Sequence, residues 1–149
     1  QFFLNFWITR NSKNPEKAWY DYNLQVQAVN REFSTTNRRG YATDRGRVYL
    51  EYGPPNVRDV ETTEPDSYPY EIWQYNKLNS QSNRKFVFYN PYLAGNEYVL
   101  LHSDAIGETY DANWELDLQN RDNPTNNLDQ QTAPSEYGGH ALDNFNDPH

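Results

Sequence analysis

The sequence predicts an α+β fold: a small antiparallel four-stranded meander covered by one N-terminal amphipathic helix, followed by an irregular acidic C-terminal tail. Three observations predict it. Residues 14–33 alone carry helical periodicity. Four later segments alternate polar and apolar residues between turn signals. After Asp104 the chain turns rich in Asn, Asp and Gln. On this reading residues 1–104 form a helix-plus-sheet domain. Residues 105–149 form a polar extended strap or tail, docked on the domain or on a partner, because the stretch is too polar to build its own core.

Taken in order, the chain opens on QFFLNFWITR. Phe2, Phe3, Phe6 and Trp7 cannot stand free in water, so they cover a core or a partner. In the following helix Asn14 suits the N-cap and Pro15 the first helical position. Trp19, Tyr22, Val26, Val29 and Phe33 follow 3-4-3-4 spacing and form one stripe. Two heptads are too few for a coiled coil. The helix breaks at STTNRRG. Next, RGRVYLEYG alternates, with Val48, Leu50 and Tyr52 on one face and Arg47, Tyr49 and Glu51 on the other; this predicts the first, half-buried strand. Gly53, Pro54 and Pro55 end it, and a long loop runs to Pro69. YEIWQYNK, RKFVFYN and EYVLLHSD predict the remaining strands, with Gly95-Asn96 as a hairpin turn. In the tail, Trp114, Leu116 and Leu118 alternate and predict an extra edge strand or strap. Beyond them only Tyr137 and Phe145 offer anchors.

Composition narrows the functional classes. Of 149 residues 16% are aromatic, enough to build a core, and the thirteen tyrosines favour contact surfaces. The absence of cysteine excludes disulfides, thiolate metal sites and cysteine nucleophiles. With no methionine, the chain reads as a processed or excised piece of a longer protein. No run of about 18 apolar residues exists to span a membrane. Residues 1–102 carry twelve Lys/Arg and eleven Asp/Glu; residues 103–149 carry ten acids and the single base Arg121. The net charge of −8 therefore sits in the last third, which argues against nucleic-acid binding.

The segment GYATDRGRVYLEYGPP, residues 40–55, concentrates the chemistry. Asp44 with Arg45 and Arg47 could form an anion site or a tuned carboxylate, but catalysis needs a matched partner, and none is recognisable. The histidines are His102, His140 and His149. No His-x-x-x-His pair, serine-centred glycine elbow or phosphate-binding glycine loop occurs. The simpler reading is a backbone-shaping knot that starts a strand. Thr43 and Asp44 accept from nearby amides before a turn at Gly46. The arginine stems lie over aromatic rings such as Tyr49 and Trp73, and Arg45 or Arg47 clamps Asp44.

These residues resemble the signature of the GWxTD domain, a family of envelope-associated proteins of Bacteroidota. Its motif reads Gly-Trp-x-Thr-Asp, then an Arg-Gly turn and Gly-x-Pro. Gly40, Thr43, Asp44, Arg45, Gly46, Gly53 and Pro55 match, with Tyr41 at the tryptophan position; Arg47 completes the cluster. Phe6-Trp7, AVNREF and YEIWQY resemble flanking blocks, and the likeness covers about residues 3–103. It implies an exported protein in the periplasm or at the outer-membrane surface, often lipid-anchored through a preceding portion. It implies no catalytic residue, cofactor or metal. The order of elements is also similar to small envelope lipoproteins that brace outer-membrane machinery.

Three functions compete. The favoured one is a non-catalytic interaction or scaffold module of an envelope assembly, with other envelope proteins as partners. The second is a glycan- or peptide-binding domain using Tyr49, Trp73, Tyr75 and Trp114, with Phe2, Phe3 and Trp7 adding to the surface. The third is a hydrolase pairing Asp44 with Glu51 or Glu71. Calcium would suit the oxygen-rich tail better than zinc, but the recognised loop spacing is missing.

Overall fold

The computed structural model describes residues 14–119 and 141–148. Phe2, Phe3, Phe6, Trp7, Tyr137, His140 and His149 lie outside the described residues. Helix α1, Pro15–Phe33, starts at the expected cap: the Lys17 N–H donates to Asn14 Oδ1 at 3.0 Å. Its predicted stripe is buried only towards the C-terminal end. Val29 and Phe33 are each 1% exposed, whereas Trp19 is 49% exposed. The reason is that the partners of α1 among the described residues gather around its last turns.

The segment predicted as the first strand is instead a helix, α2, Asp44–Tyr52. Thr43 caps its start, with the Gly46 N–H donating to Thr43 Oγ1 at 3.1 Å. Gly53, at φ 87°, ends it with its N–H on the Tyr49 carbonyl at 2.8 Å. Thr-Asp at the start and Gly at the stop are helix-boundary chemistry, and they outweigh the alternation of Val48, Leu50 and Tyr52. Gly-Pro-Pro is the stop that the sequence indicates, but of a helix.

The meander is nevertheless four-stranded among the described residues, because the segment read as a loop supplies β1, Val57–Glu61. It is an edge strand with no buried residue, so it carries no apolar alternation by which to recognise it. β2 (Tyr70–Leu78), β3 (Gln81–Tyr89) and β4 (Val99–Ser103) follow, in spatial order β1-β2-β3-β4, all antiparallel. Asn79, at φ 54°, turns the two-residue link from β2 to β3.

Both faces of this sheet are covered. On one, Trp73, Tyr75, Phe86 and Phe88 meet Val29 and Phe33 of α1 and Val48 of α2. The rings interlock: Trp73 lies 4.8 Å from Phe88 and 5.6 Å from Phe33, centroid to centroid. On the other face Tyr70, Ile72, Val87 and Leu101 meet Trp114, Leu118 and Ala141. These last belong to two six-residue helices, α3 (Trp114–Gln119) and α4 (Ala141–Asn146). The strand or strap predicted from Trp114, Leu116 and Leu118 is thus a helical turn. Trp114 and Leu118, four residues apart, face inwards, and Leu116 is 38% exposed. Phe145 does anchor the tail, packed against the second cluster.

Candidate functional site

The corner between α1 and α2 is built by close backbone approach. The last turns of α1 read the amides of the following corner. Asn30 Oδ1 accepts from the Tyr41 N–H at 2.9 Å, and Ser34 Oγ accepts from the Gly40 N–H at 2.8 Å while donating to the Asn30 carbonyl. A Cβ on Gly40 would lie 2.1 Å from the Val29 carbonyl oxygen, and one on Gly46 would lie 1.7 Å from the Gly40 carbonyl oxygen. Only glycine lets the three backbone segments stack. Thr43 Oγ1 donates to the Gly40 carbonyl at 2.6 Å and accepts from Gly46, so one hydroxyl closes the corner and caps the helix. Asp44 Oδ2 accepts from the Leu100 N–H at 2.8 Å, tying the start of α2 to β4.

Beneath this corner lies a buried charge network. Arg45 is 3% exposed and Glu71, on the same face of β2 as Trp73, is 1% exposed. Arg45 Nη1 meets Glu71 Oε2 at 2.5 Å, and Arg58 Nε of β1 meets Glu71 Oε1 at 2.5 Å. Arg58 also reaches Glu32 of α1. Burial opposes the charge on Arg58, but Glu71 and Glu32 outweigh it and raise its pKa. Arg45 Nη2 donates to Asn96 Oδ1 at 2.6 Å, and Asn96 Nδ2 donates back to the Glu32 carbonyl at 3.0 Å. The Arg45 guanidinium lies 4.3 Å from the Tyr98 ring centroid and 4.9 Å from that of Phe33. The Glu71 carboxylate thus ties α2 and β1 to β2, and Arg58 carries the link on to α1 through Glu32.

Arg47 points the other way, onto Glu108 at 2.8 Å and Glu51 at 3.0 Å. The Tyr52 hydroxyl donates to Glu108 at 2.7 Å. The Glu108 hydrogen bond is the main cause of the raised pKa of Arg47. Burial, then Glu108, raises that of Tyr52. For Glu108 itself burial works upwards, but the bonds from Arg47 and Tyr52 win and lower it.

Several expected placements are corrected. The arginine clamps close on Glu71 and Glu108, not on Asp44. Arg45 lies over Phe33 and Tyr98, not over Tyr49 or Trp73; it is Arg58 that lies near Trp73, at 5.7 Å. Of the described aromatic residues proposed as a ligand surface, Trp73 is 0%, Tyr75 2% and Trp114 5% exposed, and Tyr49 is half-buried against the core of Trp73 and Tyr75. Trp114 lies on the opposite face of the sheet from the rest. Glu51 and Glu71, the carboxylates weighed against Asp44, are each engaged by arginine. Arg58 and Glu32 escaped sequence reasoning, and Asn96 was legible only as part of a turn, not as a partner of Arg45. Glu71 alone left a trace, as a charge inside the apolar run Tyr70–Trp73. Among the residues singled out in the signature, Tyr41 is half exposed.

The GWxTD domain family model matches residues 1–119. The chain belongs to the GWxTD domain family. The match runs past residue 104 and includes α3, so the GWxTD domain takes in the first of the two helices on the second face. No curated protein and no solved structure matches the chain. Among the described residues no group of His, Asp and Glu could hold a metal, and no helix is long and apolar enough to cross a membrane.

Proposed function

We propose that this GWxTD domain is a non-catalytic interaction module of a cell-envelope assembly, working at the periplasmic or outer-membrane surface. One observation carries the reading. The polar groups of the signature are committed to internal bonds: Thr43 to a helix cap, Asp44 to the Leu100 amide, Arg45 to Glu71 and Asn96, Arg47 to Glu108. What the rigid corner turns outward is the Tyr41 ring. An aromatic held on a fixed backbone loses little entropy on contact, which suits a recognition residue. The envelope setting rests on family membership.

The test is native co-purification of the tagged full-length protein from its own envelope. One or a few fixed partners are expected, and Tyr41→Ala, with an unchanged thermal midpoint, weakens their recovery about ten-fold, as loss of an aromatic anchor does. Elution of the wild type alone and monomeric would defeat the reading.

A further inference from the structure

The second face of the sheet holds a receptor and a ligand that belong to the same chain. Helix α4 is too short to be stable in isolation; six residues is far below the dozen or so that a free helix needs. It is held by side-chain anchors. Ala141 is fully buried, and the Phe145 ring sits 5.1 Å from Trp114 and 5.6 Å from His102, centroid to centroid. Lys85 Nζ lies 5.1 Å from that ring and donates to the Asn146 carbonyl at 3.0 Å. Asn144 Nδ2 donates to the Tyr70 hydroxyl at 2.9 Å. Lys85 is 7% exposed, and the described hydrogen bond of its ammonium goes to the docked segment rather than to the sheet.

The receptor side, made of Tyr70, Lys85, His102 and Trp114, lies wholly within the residues that the family model matches, and α4 lies beyond them. Between Gln119 and Ala141 stand 21 residues, dominated by Asn, Asp, Gln, Thr and Pro. Such a length reaches up to about 70 Å when extended, at about 3.3 Å per residue, whereas a domain of this size has a radius of gyration near 15 Å. The segment can therefore reach the same site on a neighbour.

Resting on the interaction-module reading, we propose that this face is an exchangeable acceptor for the segment Ala141–Pro148, and that its partner is a second copy of this chain. The occupant is argued from fit. A small residue, a phenylalanine and an amide each meet a matched group, and the Asn146 carbonyl at the end of the segment meets a buried lysine. Exchange of an identical element between copies creates no new interface chemistry and closes as a symmetric dimer when it is reciprocal.

The experiment uses full-length chains and a fluorescein-labelled peptide of residues 138–149. Phe145→Ala weakens the resident segment and frees the acceptor. It takes up the peptide with an apparent Kd about ten-fold lower than the wild type does, because the resident segment competes at an effective concentration in the millimolar range. The same peptide carrying Phe145→Ala does not bind. In the second arm, the Phe145→Ala chain is mixed with a Lys85→Glu chain, whose acceptor is spoiled and whose segment is intact, and a one-to-one heterodimer appears by native mass spectrometry. No peptide uptake by a folded Phe145→Ala chain overturns the acceptor. Uptake without heterodimer overturns the second copy as its partner. Should Phe145→Ala not fold, Asn144→Ala, which loses only the bond to Tyr70, carries the same test with a ratio of about three-fold. If both arms fail while envelope partners still co-purify, the module reading stands; if the arms succeed and no partner co-purifies, only that reading falls.

Discussion

The two faces of the sheet are covered by different means. On the first, two helices are locked through backbone stacking at Gly40 and Gly46, a ring cluster around Trp73, and a carboxylate that grips two arginines. On the second, two short helices lie on a smaller apolar patch, tethered by Lys85, Tyr70 and the His102 stack. The first face spends its charges internally, where each is paired. The second points its buried cation at a segment that arrives late in the chain. A domain can thus hold one face as scaffold and leave the other as a docking place, because buried charges specify geometry only where their partners are fixed by the same body.

The comparison breaks most sharply at Glu71. Glu71→Ala leaves Arg45 buried without its counter-ion and is expected to cost about 3–5 kcal/mol in urea unfolding, whereas Arg45→Met with Glu71→Leu recovers most of that. On the other face Lys85→Met, which exchanges a charge for an apolar side chain of similar length, costs only about 1 kcal/mol. Equal losses at the two sites would erase the distinction.

Glycine substitutions sharpen it next. Gly46→Ala drives a Cβ into the Gly40 carbonyl and costs about 3 kcal/mol, the upper range of overpacking. Gly107→Ala meets nothing within 4 Å and suffers only its φ of 87°, about 1 kcal/mol. Thermal midpoints in that order support stacking at the corner; the reverse order would point to backbone strain alone.

The smallest effect is pH. Burial lowers the pKa of His102 below its ordinary 6.5, with Asp104 and Asp111 opposing. The unfolded chain therefore binds the proton first as pH falls. The contribution of His102 to stability is complete above about 6.5 and is lost as pH falls from there through the folded-state value. Its Nδ1 accepts from the Asp111 N–H at 3.1 Å, a bond that protonation there would break. His102→Phe should flatten the slope of the unfolding midpoint in that window; an unchanged slope would assign it to the carboxylates.

How much was legible follows from the same physics. The cap at Asn14 and Pro15, the strands centred on Trp73 and Val87, and the turn at Gly95 all rest on local chemistry and could be read directly. Residues 44–52 could not be read by alternation, since nine residues satisfy both a two-fold and a helical period. The Thr43 cap and the Gly53 stop held the better signal. β1 was silent because an edge strand with no buried residue needs no pattern. The candidate site was half legible: the signature residues were identifiable, but their partners were not.

By itself the sequence determined the class of fold, the family, the order of most elements and the place of the charge, because these depend on neighbours along the chain. The tertiary structure alone decided that Arg45 meets Glu71, 26 residues on, that Arg47 meets Glu108, 61 residues on, and that the last helix closes the far face of the sheet. A long side chain records its charge in the sequence but not its direction, and only the packed backbone selects which opposite charge it reaches.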